Sequence, residues 1–272
     1  MDVRLDMELA QFRTQISEAM AEGGTQPLIR LTDEELAVLD PEETLVPKPH
    51  LSTMDAQQRE WAMATALRSL VARETIEIDN IEDLAATLHG APASTVDMRI
   101  RMDVDLALTL RRTADRALVI RQRSGAGTAF AHVHIHTANL LLVERITAGG
   151  MHVFTLANSV QDAVDLVQPL LDPFGVADRD GPSIPLDPSA LEPEHVGPLT
   201  AVIDNARIVA ELVLLSDPPG PMITTYATDR AVWAVIVDSP HAPTGITARP
   251  VSHAALSAAI ADMLSSQEAD RA

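Results

Sequence analysis

From Met98 to Leu156 the chain repeatedly sets apolar residues at every second position and separates the runs with short glycine-bearing turns. In the first run Met98, Ile100, Met102, Val104, Leu106, Leu108 and Leu110 alternate with Arg99, Arg101, Asp103, Asp105, Ala107, Thr109 and Arg111. A period of two places all seven apolar side chains on one face of an extended chain, so 98–111 is predicted to be a long strand, half buried and half wet. Further strands are predicted over 117–122, 129–136, 140–146 and 151–156, with turns at 124–127 and 148–150. Connections this short join neighbouring antiparallel strands into a meander. Ser159, with Asp162 three residues on, caps the helix that follows.

The plan recurs further on. Strands are expected over 208–215, 222–227, 231–237 and 245–249, and Ser252 caps a last helix. Aligned on their caps, Ala163, Val167, Leu170 and Leu171 match Leu256, Ile260, Met263 and Leu264, and each set forms one helical stripe interrupted in the first by Pro169. The fold class is therefore α+β: antiparallel β-meander sheets flanked by helices, pseudo-twofold, with two similar β-then-α halves. Four regions follow. Residues 1–93 form a helical region, 94–171 the first meander and its helix, 172–200 a proline-rich linker, and 201–272 the second sheet and C-terminal helix. In the first region Thr32 and Glu35 form a capping-box pattern for a helix over 33–39, helices are expected over 55–73 and 81–88, and Pro41, Pro47 and Pro49 break the chain between. The tail 267–272 is expected to fray.

Composition narrows the function classes. The hydrophobic share of 46% supports a buried core. No cysteine is present, which excludes disulfides and thiolate chemistry. A net charge of −19 opposes phosphate backbones and anionic lipid, so neither nucleic-acid binding nor membrane insertion is expected. The first 20 residues carry charges throughout and no apolar stretch of a secretory signal, and no apolar run is long enough to span a bilayer. A cytoplasmic location is expected. The arginines between Arg99 and Arg123 lie among Asp103, Asp105 and Asp115 and are read as a mixed, solvated face.

Three histidines carry the main chemical alternative. His132, His134 and His136 stand at alternate positions of one strand, where imidazoles can share a metal ion, with Glu144 and His152 as nearby ligands. The competing reading is the more polar face of an amphipathic strand, partly covered because Phe130 shares it. Gly125 and Gly127 mark a hairpin rather than a phosphate loop, since no GxGxxG or Gly-Lys-Ser/Thr follows. No GxSxG or HExxH occurs. No catalytic residue and no cofactor are expected, and the chain is not expected to be an enzyme. Trp61 and Trp233 are read as core or groove packing.

Three stretches resemble the EspG family, chaperones of actinobacterial type VII (ESX) secretion: the helix REWAMATALRSLVAR, the hairpin LLLVERITAGGMHVFTLAN, and the close AVWAVIVDSP…GITARPVSHAALSAAIADML. The resemblance spans most of 55–265. The proline-rich 41–49 and the HVHIH stretch have no match in it. It implies a cytosolic protein with a quasi-twofold antiparallel sheet that covers the apolar tip of a PPE protein in a PE–PPE heterodimer and keeps that cargo soluble. Surface loops such as Asp217, Pro218, Pro219, Gly220 and Pro221 are the expected contact points. Two alternatives stay open: a DNA-binding regulator using 33–88 as a winged-helix-like module, and a metal-dependent enzyme at His132, His134 and His136.

Overall fold

The computed structural model describes residues 23–41, 46–78, 98–186, 198–216, 220–237 and 245–265. The helix expected over 81–88, the tail 267–272 and the first 20 residues lie outside them.

One large antiparallel sheet organises the chain. In chain order the elements are β1 (Thr25–Thr32), α1 (Asp33–Leu39), α2 (Ala56–Ala72), β2 (Ile76–Ile78), β3 (Met98–Ile100), α3 (Met102–Thr113), β4 (Arg116–Ser124), β5 (Gly127–Thr137), β6 (Leu140–Ile146), β7 (Met151–Ala157) and α4 (Val160–Val167). Then follow β8 (Ile184–Leu186), α5 (Pro198–Asp204), β9 (Ile208–Leu215), β10 (Met222–Ala227), β11 (Val232–Val237), β12 (Ile246–Val251) and α6 (His253–Ser265). Strand order across the sheet is β1-β7-β6-β5-β4-β9-β10-β11-β12-β8, while β2 and β3 form a separate ribbon.

This order is a duplicated plan. An edge strand and a helix precede each four-stranded meander, each edge strand pairs with the last strand of its meander, and a helix closes each half. The halves join where β4 pairs antiparallel with β9. Ser159 accepts from the Asp162 amide, and Ser252 from the Ala255 amide, so both closing helices start on a serine cap. Pro169 ends α4 at Val167 and carries the chain on as a single 3₁₀ turn. The aligned stripes meet on one face of the sheet, where Ala163, Val167, Leu171, Leu256, Ile260, Met263 and Leu264 pack on Leu118, Ile120, Val133, Val143, Ala210 and Leu212.

The opposite face has a second core built by α1, α2 and α3. Leu36, Leu70, Val104, Ala107 and Leu108 pack there on Leu31, Leu142, Phe154 and Leu156. The Thr32 capping box opens α1 as expected, and Asp55 with Gln58 forms a second one for α2. None of this cluster comes from β4 or from β9 to β12.

Three expectations are corrected. The long strand over 98–111 is only β3; from Met102 the chain is helical. Val104, Ala107, Leu108 and Arg111 are spaced three and four apart and all are buried, so Ala107 belongs to the buried stripe. Asp103 and Asp105 in the first turn and Arg111 and Arg112 in the last complement the helix dipole. Second, the first region is not only helical, because β1 runs beside β7 through a register irregularity at Pro27 to Ile29. Third, the segment expected to be a linker contributes β8, whose Pro185 sits on an outermost strand, where a missing amide is tolerated. Asp172 accepts from the amides of Val176 and Ala177, and Gly181 donates to the Pro250 carbonyl, so this segment is tied down at both ends of its turn.

Candidate functional site

The histidine strand is β5, and its even-numbered residues face the second core. Register places His132 opposite Glu144 and His134 opposite Leu142 on β6, with Ile146 of β6 opposite His152 of β7. Glu144 is fully buried and is the hub. It accepts from His134 Nε2 at 3.1 Å, from His152 Nδ1 at 2.7 Å and from Arg111 Nε at 3.0 Å. The other ring nitrogen of His152 meets Asp33 Oδ1 at 2.7 Å. Arg111 also donates to Asp40 at 2.7 Å, and Arg112 reaches the same carboxylate. The second Asp33 oxygen accepts from the amides of His50 and Leu51. A chain of hydrogen bonds and buried ionic contacts therefore runs from the loop at 50 through α1, β7 and β6 to α3.

Geometry sets the protonation states. Both His152 nitrogens face carboxylates, and an imidazole donates from both only as a cation. Burial opposes that charge, but the hydrogen bonds to Asp33 and Glu144 and the field of both carboxylates raise the His152 pKa. Burial likewise pushes the Glu144 carboxyl up, and the bonds from His134 and His152 with the Arg111 charge outweigh it and hold that pKa well below the usual range.

His132 and His136 take no part in this hub. His136 Nε2 bonds the Leu110 carbonyl at the end of α3, at 2.9 Å. His132 stacks on His134 with ring centroids 6.2 Å apart, and its Nδ1 is enclosed without a hydrogen-bond partner. Such an orphan costs about 1–3 kcal/mol. Burial, the largest influence, pushes its pKa down to about 4, so the ring is neutral near pH 7. Among the described residues no group of three or more His, Asp or Glu is placed to hold a metal ion. The three strand histidines go to three different environments.

The central acid of the hub is sealed from solvent, and its contacts and those of Asp33 fasten α1, α3 and the loop at 50 to the sheet. Gly150 marks how tightly. With φ at +74°, its carbonyl accepts from the Asp33 amide, and an added Cβ would lie 2.7 Å from His50 Cβ and 2.8 Å from Asp33 Cγ. Gly150→Ala is therefore expected to lower folding stability by about 2 kcal/mol, read as a shift in urea midpoint; an unchanged midpoint would show that the loop at 50 yields freely.

A different feature borders the hub. On the same face β4, β9 and β10 lie beyond the second core, and Val119, Val209, Val213, Thr224 and Tyr226 are half-buried while their neighbours on the helix side are buried. Trp233 on β11 is half-buried too, whereas Trp61 is 63% exposed on α2, contrary to the packing role expected of it. In this strip Pro47, Val119, Arg121, Phe130, His132, Glu211 and Val213 surround a niche of about 300 Å³. Glu211 pairs with both Arg121 and Arg123 across β4 and β9, so one carboxylate serves two guanidinium groups within the sheet.

Of the expected contact loop, Asp217, Pro218 and Pro219 lie outside the described residues. Gly220 packs against Leu214 and, with Pro221, leads into β10. Sequence reasoning missed Arg111, Asp33 and Asp40, which no local pattern links. Among the described residues no helix is long and apolar enough to cross a membrane. No protein-family model matches the chain, and no curated protein matches it either.

Proposed function

We propose that the protein is a cytoplasmic, non-enzymatic chaperone or adaptor that holds a PE–PPE-type substrate of type VII secretion in soluble form. The observation that carries this reading is the strip of half-buried side chains over β4, β9 and β10, where the second core stops and the sheet face continues. A strip of Val, Tyr and Phe broken by paired charges and Thr matches the mixed character of a reversible protein interface. The buried ionic hub beside it makes the platform rigid, which lowers the ordering cost of binding. The cargo's apolar tip is an aggregation hazard that a protein cap removes. The duplicated edge-strand, meander and helix plan is in keeping with the quasi-twofold sheet that the EspG resemblance implies.

Co-expression with PE–PPE pairs is expected to yield a ternary complex on size-exclusion chromatography with light scattering. Val213→Glu is expected to weaken capture about tenfold, with an unchanged circular dichroism spectrum. Failure of every PE–PPE pair to associate would sink the reading.

A further inference from the structure

Unbalanced charge on the sheet face gives a rule for what that face accepts, and the rule rests on the docking reading above. Register aligns the side chains in rows across the strands. Phe130, Arg121, Glu211 and Thr224 form one row, and Arg123, Val209, Tyr226 and Trp233 form the next. Directly opposite residues on neighbouring strands point to the same side. Arg121 donates to Glu211 Oε2 through Nε at 2.8 Å and through Nη2, and Arg123 donates to Oε1 of the same carboxylate through Nη2 at 2.8 Å. One acid therefore faces two guanidinium groups, and the two rows are positive within a chain of net charge −19. Arg121 Nη1 and Arg123 Nε and Nη1 bond no acceptor among the described residues, and the two side chains are 47% and 53% exposed. Beside these spare donors Val209, Tyr226 and Trp233 make a continuous half-buried run.

We propose that the protein partner sets an acidic side chain on Arg121 and Arg123 and lays an adjoining apolar side chain on Val209, Tyr226 and Trp233. A carboxylate there meets spare donors on two guanidinium groups, matches their planar fork and cancels the charge that Glu211 leaves over. The pairing selects the partner and fixes its register, while the apolar contact supplies most of the affinity. A lysine or arginine would be repelled by the excess cation. A wholly apolar segment would cover the donors without satisfying them. A phosphate backbone would gain the same two cations, meet the acidic surface around them and leave the apolar run uncovered.

The test uses small probes on the full chain, followed by NMR at the arginine Nε–H and tryptophan indole N–H resonances. 4-Phenylbutyrate carries the acid and an apolar body, 4-phenylbutanamide keeps the body without the charge, and inorganic phosphate keeps a charge without the body. Saturable shifts at Arg121, Arg123 and Trp233 are expected with phenylbutyrate, with the amide about tenfold weaker. Added salt is expected to weaken the phenylbutyrate shifts and leave those of the amide unchanged. Arg123→Gln leaves Arg121 and Glu211 as a balanced pair and is expected to bring the two phenyl probes to equal affinity. Glu211→Gln enlarges the excess charge and is expected to tighten phenylbutyrate about threefold. Both substitutions touch exposed pairs, so an unchanged circular dichroism spectrum is expected of each. Equal binding of phenylbutyrate and its amide by the native chain, or silence with every probe, overturns the proposal. Phosphate binding as tightly as phenylbutyrate also overturns it, since a plain anion site would then suffice. These probes need no secretion substrate, so the two readings fail separately. Capture of a PE–PPE pair that Arg123→Gln leaves unchanged removes the acidic-residue rule alone. Shifts with phenylbutyrate alongside failure of every pair remove the secretion reading alone.

Discussion

Glu144→Gln is expected to lower folding stability by about 3–5 kcal/mol, a large share of the whole for a domain of ordinary stability. The amide keeps the shape and removes the charge that Arg111 and His152 share. Arg111 retains Asp40 and His152 retains Asp33, but each loses its charged bond to Glu144 in a buried site. Removing one member of a buried ionic set leaves the others buried with less compensation, which costs more than the intact set contributes. The urea midpoint measures the effect, with an unchanged slope showing that the unfolded state is the same. Arg207→Ala, which breaks the exposed pair with Asp229, is the contrast and is expected to give little or no measurable loss. Equal midpoints for the two variants would mean that the hub does not hold α1 and α3 to the sheet.

Why the sequence exposes some of this and hides the rest is a matter of range. Thr32 with Glu35, and Ser159 with Asp162, act within one helical turn, so their side chains announce the helix starts. The hairpins from Arg116 to Ala157 are equally local, and the bounds expected for β6 and β9 agree with the structure. The stretch 98–111 misleads because its alternation satisfies a strand while Val104, Ala107, Leu108 and Arg111 satisfy a helix. The dipole-matching charges at 103, 105, 111 and 112 are the local signal that separates the two. β1 has no comparable mark: Pro27 interrupts its pattern, and only pairing with β7 makes it a strand. The hub was half visible. Glu144 and His152 stood out as potential companions of the strand histidines, but Asp33, Asp40 and Arg111 join them only through tertiary packing, and Arg111 reads locally as one more surface cation.

His132→Leu is expected to change the pH dependence of stability more than stability at pH 7. With burial as the main cause, the His132 pKa lies at about 4 in the folded chain and returns to about 6.5 on unfolding. Because the folded value is depressed, the unfolded chain takes up the proton first as pH falls. Stability from this residue is therefore fully present above pH ~6.5 and lost progressively towards pH ~4, by roughly 3 kcal/mol. Glu144, Arg111, His152 and His134 face the ring from the hub, and Arg121 and Glu211 from the niche. Of these, His152 has a raised pKa, so it stays charged across the window, and its contribution is lost only as pH rises through that value. Glu144 is held well below its usual range, so its contribution is lost progressively as pH falls through the unfolded value of 4.5, a loss that both chains share. The difference between the two chains over pH 6.5 to 4.5 thus isolates His132 from both. Leucine removes the titration and the orphaned ring nitrogen together, so the variant is expected to match or exceed the native chain at pH 7.5 and to gain on it steadily towards pH 4.5. Urea midpoints measured at half-unit steps give the two curves. Parallel curves would show that the imidazole is hydrated in the folded state and that its enclosure carries no cost.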